Sequence, residues 1–172
     1  MQVTPFECAR SLADYLKQCF DAYEESADVT GKHEQEPIHV YAGFLPRAGN
    51  REDMLKICPA VVLRPDLVDD RKQDTRVSLV LYATVYDDDM ERGCESLYHL
   101  LEFVRYCLLS QNPIRDKWQI VDDAMKTSIP DGQLFPQWIG TIEFEVYLPQ
   151  PTWTSPNVMG VTTWQGKENR FP

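Results

Sequence analysis

With 172 residues, 43% of them hydrophobic, and a formal net charge of −10, the chain can bury a core without disulfides or metal and is too apolar to be disordered throughout. The negative balance argues against a sequence-independent nucleic-acid binder, which needs a basic surface to displace phosphate counterions, and no specific nucleic-acid binding is expected. No apolar run approaches the roughly 20 residues that span a bilayer, so no membrane partner is expected. Five cysteines with no CxxC pair, and no signal peptide, read as free thiols in a reducing cytoplasm.

Thr4, Pro5 and Glu7 supply a capping residue, a proline at the first helical position and a carboxylate at the third. Phe6, Ala9, Leu12, Ala13, Leu16, Cys19, Phe20 and Tyr23 then recur at three- and four-residue spacing. That stripe predicts an amphipathic helix facing a sheet or a neighbouring subunit. From Glu24 to Pro37 the periodicity disappears, and a polar loop is expected. Ile38 to Leu45 carries strand residues and stops at Pro46, and RAGNREDMLKI reads as a loop with a short helical turn. Ala60 to Leu63, between Pro59 and Pro65, suits a short buried strand. Arg64 to Thr75 reads as a charged connection. Here Arg64, Arg71, Lys72 and Arg76 interleave with Asp66, Asp69, Asp70 and Asp74, a pattern of a solvated mixed-charge loop more than of a phosphate site.

Arg76 to Tyr86 is the strongest strand. Val77, Leu79, Leu81, Ala83 and Val85 line one face, and the other (Ser78, Val80, Tyr82, Thr84, Tyr86) is too apolar for open water. A central strand, or one whose second face meets another subunit, is expected. Asp87, Asp88 and Asp89 invite a metal hypothesis, but Asp88 and Glu91 have the spacing of a helix cap and its reciprocal partner, and a calcium loop needs alternating oxygen ligands and a suitably placed glycine. The helix that follows, Glu91 to Leu109, buries Cys94, Leu97, Leu101, Val104 and Leu108. Gly93 costs it up to about 1 kcal/mol relative to Ala and points to close approach of a strand or another chain. Asn112-Pro113 ends the helix. Trp118, Ile120 and Val121 suggest a strand, Asp122 to Leu134 a polar connection, and Ile142, Phe144, Val146 and Leu148 a half-buried antiparallel strand.

The order helix, several strands, helix, strand, strand, with strands grouped instead of alternating with helices, suits an α+β fold: a mainly antiparallel sheet with two main helices packed on one face. Three segments carry a resemblance: CPAVVLRPD, then VYDDDMERGCESLYHLLEFVRYCLL, then LFPQWIGTIEFEVYLP. In this order, over residues 38 to 149, they resemble the phage tail terminator (tail-completion) family in its proline-flanked strand, acidic turn with helix-start glycine, and aromatic-led closing strand. The resemblance implies a homo-oligomeric ring, commonly hexameric, that caps the tail tube, stops its polymerisation and presents a head-joining surface. It implies as partners other copies of the chain, the tail tube protein and a head-completion or connector protein. The expected location is the virion tail, and the host cytoplasm during assembly. It supplies no catalytic residues, cofactor or metal.

The loop from 24 to 37 and a C-terminal extension depart from that pattern. The division expected is a domain over 1–150 and an extended arm over 151–172, whose Trp153 and Trp164 dock on a neighbouring subunit or pack on their own domain. Candidate subunit or tube contacts are Arg64, Arg71, Arg76, Glu143, Glu145, Trp153 and Trp164. A connector of the same fold, or an unrelated α+β enzyme or ligand-binding domain, are the other readings. Against an enzyme, His33, His39 and His99 belong to no nucleophile or metal motif, and Cys58 has no Cys-His signature around it. Glu143 and Glu145 could form a carboxylate pair, but strand alternation already accounts for both.

Overall fold

The computed structural model describes residues 3–29 and 37–149. In chain order the elements are α1 (Pro5–Val29), β1 (His39–Ala42), α2 (Arg51–Ile57), β2 (Ala60–Asp70), β3 (Thr75–Tyr86), α3 (Met90–Ser110), β4 (Lys126–Ser128) and β5 (Gln137–Leu148). The five strands form one sheet in the order β1-β2-β3-β5-β4. All neighbours are antiparallel except β1 and β2, which run parallel. A parallel neighbour demands a crossover, supplied here by α2 after a turn at Gly43, whose φ of 97° suits a residue without a Cβ. The fold is α+β, and its sheet is mixed.

β3 lies at the centre of this sheet. Its Val77, Leu79, Leu81 and Ala83 are fully buried, and β5 adds Ile142, Phe144 and Val146 on the same face. Against that face α1 presents Leu12, Leu16 and Phe20, and α3 presents Leu97, Leu101, Val104 and Leu108, all within one core cluster. Each such side chain contributes about 1.5–3 kcal/mol on burial. The helices also meet each other: Phe20 stacks on Phe103 at 5.0 Å, and the Tyr15 hydroxyl donates to the Cys107 carbonyl at 2.9 Å. Trp118 is fully buried beneath Lys117, whose Nζ lies 4.5 Å from the ring, and its indole N–H finds no acceptor among the described residues.

The structure corrects several boundaries. α1 is capped by Thr4, which accepts from the Glu7 N–H at 3.1 Å, and it runs on to Val29, so the polar loop does not begin at Glu24. Once nucleated, a helix propagates through polar residues of adequate propensity without an apolar stripe. The remainder of that expected loop, residues 30–36, lies outside the described residues. The charged connection is strand as far as Asp70, because β2 pairs with β3 down to Asp70 and Thr75 and absorbs Pro65 at a bulge. Cross-turn contacts lock this hairpin, with Thr75 donating to Asp70 at 2.7 Å and the Arg71 N–H to the Asp74 carbonyl at 2.8 Å. Trp118 and Ile120 make isolated bridges instead of a strand and Val121 donates its N–H to the Glu145 carbonyl at 2.9 Å, while the polar connection after them contains β4.

α3 sits close to β5 because glycine occupies two contact points. A Cβ on Gly93 would fall 2.3 Å from the Trp138 indole nitrogen, and one on Gly140 would fall 2.6 Å from Leu101. The close approach sought at Gly93 is thus to a strand. Trp138 cannot swing aside freely: its Nε1–H donates to the Asp87 carbonyl at 3.1 Å, and Phe135 meets the ring edge-on. Gly93→Ala therefore gains up to about 1 kcal/mol of helix propensity and loses more to overpacking, for a net destabilisation of about 1–2 kcal/mol. Urea unfolding measures this, and an unchanged or raised midpoint would show that the Trp138 contact does not constrain the helix.

Candidate functional site

The two long helices cover one face of the sheet, and no described helix covers the other. Register brings the sequence candidates together on that open face. One row across the strands reads Arg64, Val80, Glu143 and Lys126, and the next reads Val62, Tyr82, Thr141 and Ser128. Towards the β2–β3 turn follow Leu67, Ser78 and Glu145, then Asp69, Arg76 and Tyr147. Arg64, Arg76, Glu143 and Glu145 thus share a single surface. Arg71 sits in the turn beyond β2 and bonds to Asp69 at 2.7 Å. Trp153 and Trp164 lie outside the described residues.

Arginine and tyrosine dominate this surface. The Arg64 guanidinium lies 4.9 Å from the Tyr82 ring and 5.5 Å from the Phe44 ring, and it donates to the Tyr82 hydroxyl at 2.9 Å. Arg76 lies 5.1 Å from the Tyr147 ring, donates to Asp74 at 2.8 Å and reaches Glu145 at 3.5 Å. The Asp74 hydrogen bond holds its guanidinium further above its ordinary range. A planar guanidinium can stack on a ring while its edge keeps hydrogen-bonding, which an ammonium cannot do as well. Val62 and Val80 are buried on this helix-free face, covered among the described residues by these long neighbours. The arrangement suits recognition of another mixed-charge protein surface: stacked aromatics and arginines over a small apolar floor, with Glu143 exposed at the side.

A second feature is a cavity of about 910 Å³ between α1, α2 and the start of α3. Phe20, Tyr23, Leu55, Leu100 and Phe103 line it, together with Arg51, Asp87, Asp88 and Arg92. Those charges are bound to one another. Arg92 grips Asp87 through two bonds of 2.5 and 2.7 Å, and Arg51 pairs with Asp88. The three aspartates consequently have three separate tasks. The α3 cap is Asp89, not Asp88, and it accepts from the Arg92 N–H at 2.9 Å. Consecutive aspartates offer the same oxygen at three registers, so sequence spacing did not distinguish them. Among the described residues there is no group of three or more His, Cys, Asp or Glu side chains placed to hold a metal ion.

The reactive side chains are dispersed. Cys8 and Cys107 are both pushed up to about 12, chiefly by burial, and Cys58 is buried 4.0 Å from the Thr84 hydroxyl. His99 stands on the outer side of α3 beside Glu95, His39 lies on β1, and His33 is outside the described residues. Among the described residues, no helix is long and apolar enough to cross a membrane. The Arg51–Asp88 pair and the cavity it borders escaped sequence reading because their partners are far apart in the chain and share no spacing. Phe44 left a local trace, at the end of an apolar run. Comparison with models of known protein families and with curated protein sequences finds no match.

Two measurements follow from these environments. Native protein should react rapidly with a thiol reagent only at the half-buried Cys19 and Cys94, and at all five cysteines once unfolded. Rapid reaction at Cys8, Cys58 or Cys107 would contradict the packing. The Arg92 hydrogen bond holds the Asp87 carboxyl below its usual range, against the opposing effect of burial. Its folded value therefore lies below the unfolded one of about 3.9, so its stabilisation is present above that pH and lost as pH falls through the folded value. Asp87→Asn should cost about 1 kcal/mol at pH 7 and reduce the acid-induced loss of stability below about pH 4. Denaturation midpoints from pH 7 to 3 test this, and an undiminished acid limb would count against the pair.

Proposed function

We propose that the chain is a phage tail terminator, which assembles with copies of itself into a ring on the end of a tail tube. Such a ring stops polymerisation of the tube protein and offers a surface to a head-completion or connector protein. This reading places it in the virion tail and, before assembly, in the host cytoplasm. The observation that carries it is the second face of β3: apolar residues in the middle of a sheet face that has no covering helix among the described residues, flanked by Arg64, Tyr82, Arg76 and Tyr147. A ring gives such a face a partner on every subunit. The order of elements in the three resembling segments supports the same reading. The acidic net charge suits a channel wall to which passing DNA would not stick.

The cavity beside α3 is the observation in favour of a ligand-binding domain. It ranks second because its lining arginines and aspartates are paired with one another instead of converging on open space.

Incubation with purified tail tubes tests the proposal. Electron microscopy should show capped tube ends and tubes held to one length. Binding to the portal side but not to tubes would move the assignment to the connector, and binding to neither would overturn both. Arg64→Glu removes the stack on Tyr82 and should weaken self-assembly at least about tenfold, near 1.4 kcal/mol, with unchanged circular dichroism. Light scattering measures the change, and an unaltered mass at every concentration would remove the open face from the interface.

A further inference from the structure

α1 and α3 cross along a seam that two contacts fix. The Tyr15 hydroxyl donates to the Cys107 carbonyl at 2.9 Å, and the Tyr23 ring lies 5.0 Å from the Phe103 ring. Tyr15, Cys19 and Tyr23 follow one another at four-residue steps on α1, as Phe103 and Cys107 do on α3, so each set forms a single ridge. Cys19, midway between the two tyrosines, therefore falls opposite the Phe103–Cys107 stretch. Its thiol shares a hydrogen bond with the Cys107 thiol and another with the Tyr15 hydroxyl.

Thiols so placed meet the main requirement for a disulfide, whose Cβ atoms stand only about 3.5–4.5 Å apart. Their exposure differs. Cys19 is half-buried and open to a reagent, whereas Cys107 is 4% exposed and its thiol is pushed up to about 12, chiefly by burial. Reaction with an oxidant therefore begins at Cys19, and Cys107 follows. Cys8 and Cys58 are buried and offer no such entry.

We propose that Cys19 and Cys107 are a redox pair, which a low-molecular-weight disulfide such as oxidised glutathione converts into a bond fastening α1 to α3. The Cys19 thiolate attacks one sulfur of glutathione disulfide. That S–S bond breaks, and one glutathione leaves as a thiolate and takes up the proton Cys19 lost. Cys107 then attacks the Cys19 sulfur, forming the protein disulfide and releasing the second glutathione, which receives the Cys107 proton through solvent. Two protein thiols are oxidised, and one glutathione disulfide is reduced to two thiols. The bond closes a long loop, from α1 through β1, α2, β2 and β3 into α3, and so restrains the unfolded chain strongly. Passage from reducing to oxidising surroundings thus tightens the helical layer. The inference rests on this packing and needs no ring.

The test equilibrates the full chain with oxidised glutathione, then unfolds it, alkylates the remaining thiols and maps the peptides by mass. Cys19 and Cys107 should be linked within one chain, and the urea midpoint should rise by about 1 M and fall back on addition of dithiothreitol. Cys94→Ser should leave both results unchanged. Cys19→Ser, at a half-buried position that keeps the fold, should abolish both. Glutathione retained on Cys19 beside a free Cys107, a link between two chains, or a link through Cys94 overturns the pair. A Cys19–Cys107 link that leaves the midpoint unchanged overturns the fastening.

Discussion

The molecule is arranged around a central strand that carries apolar residues on both of its faces. β3 pairs along its whole length with β2 and β5, so its backbone is satisfied within the sheet. Its side chains then impose the remaining architecture. On one face, Val77, Leu79, Leu81 and Ala83 require cover that α1 and α3 provide. On the other face, Val80 is buried between Arg64 and Glu143 of the neighbouring strands without a described helix above it, while Thr84 is buried beside Cys58 and Gln137. A two-layer fold can satisfy one face fully. The second is the face that the proposed assembly would cover.

The α3 start connects the two halves of that arrangement. Trp138, at the beginning of β5, packs into the space left by Gly93 and hydrogen-bonds to the backbone at Asp87. Asp87 holds Arg92, and Asp89 caps the helix. Helix position, strand register and the charged rim of the neighbouring cavity therefore form one rigid corner. The open face lies on the far side of the same strands, so its Arg64 and Tyr82 are held on a rigid scaffold and not on a loop. Preorganised side chains of this kind lower the entropic cost of association.

Much of this was legible in the sequence where periodicity speaks directly. The stripes of α1 and α3 and the alternation of β3 and β5 were plain, because one buried face per element leaves a repeat that a single chain displays. The glycine in α3 was legible as a close approach, though not the Trp138 that fills it. The β2 extension was hidden by its charges: Arg64 to Asp70 reads as connection unless one knows that an antiparallel ladder with β3 runs through it. The helix beyond Glu24 was hidden for the opposite reason, since helical propensity without an apolar stripe gives no period. The shared face of Arg64, Arg76, Glu143 and Glu145 depends on pairing across β2, β3 and β5, which no local pattern encodes.

The central claim is that another copy covers the open face of β3. Hydroxyl-radical footprinting of the full chain, below and above the concentration at which it assembles, addresses this directly. Tyr82 and Tyr147 report on the open face, while Tyr98 and Tyr106, exposed on the outer side of α3, report on the helical layer. The account predicts that assembly protects Tyr82 and Tyr147 and leaves Tyr98 and Tyr106 as reactive as before. Protection confined to Tyr98 and Tyr106, with Tyr82 and Tyr147 unchanged, would contradict it.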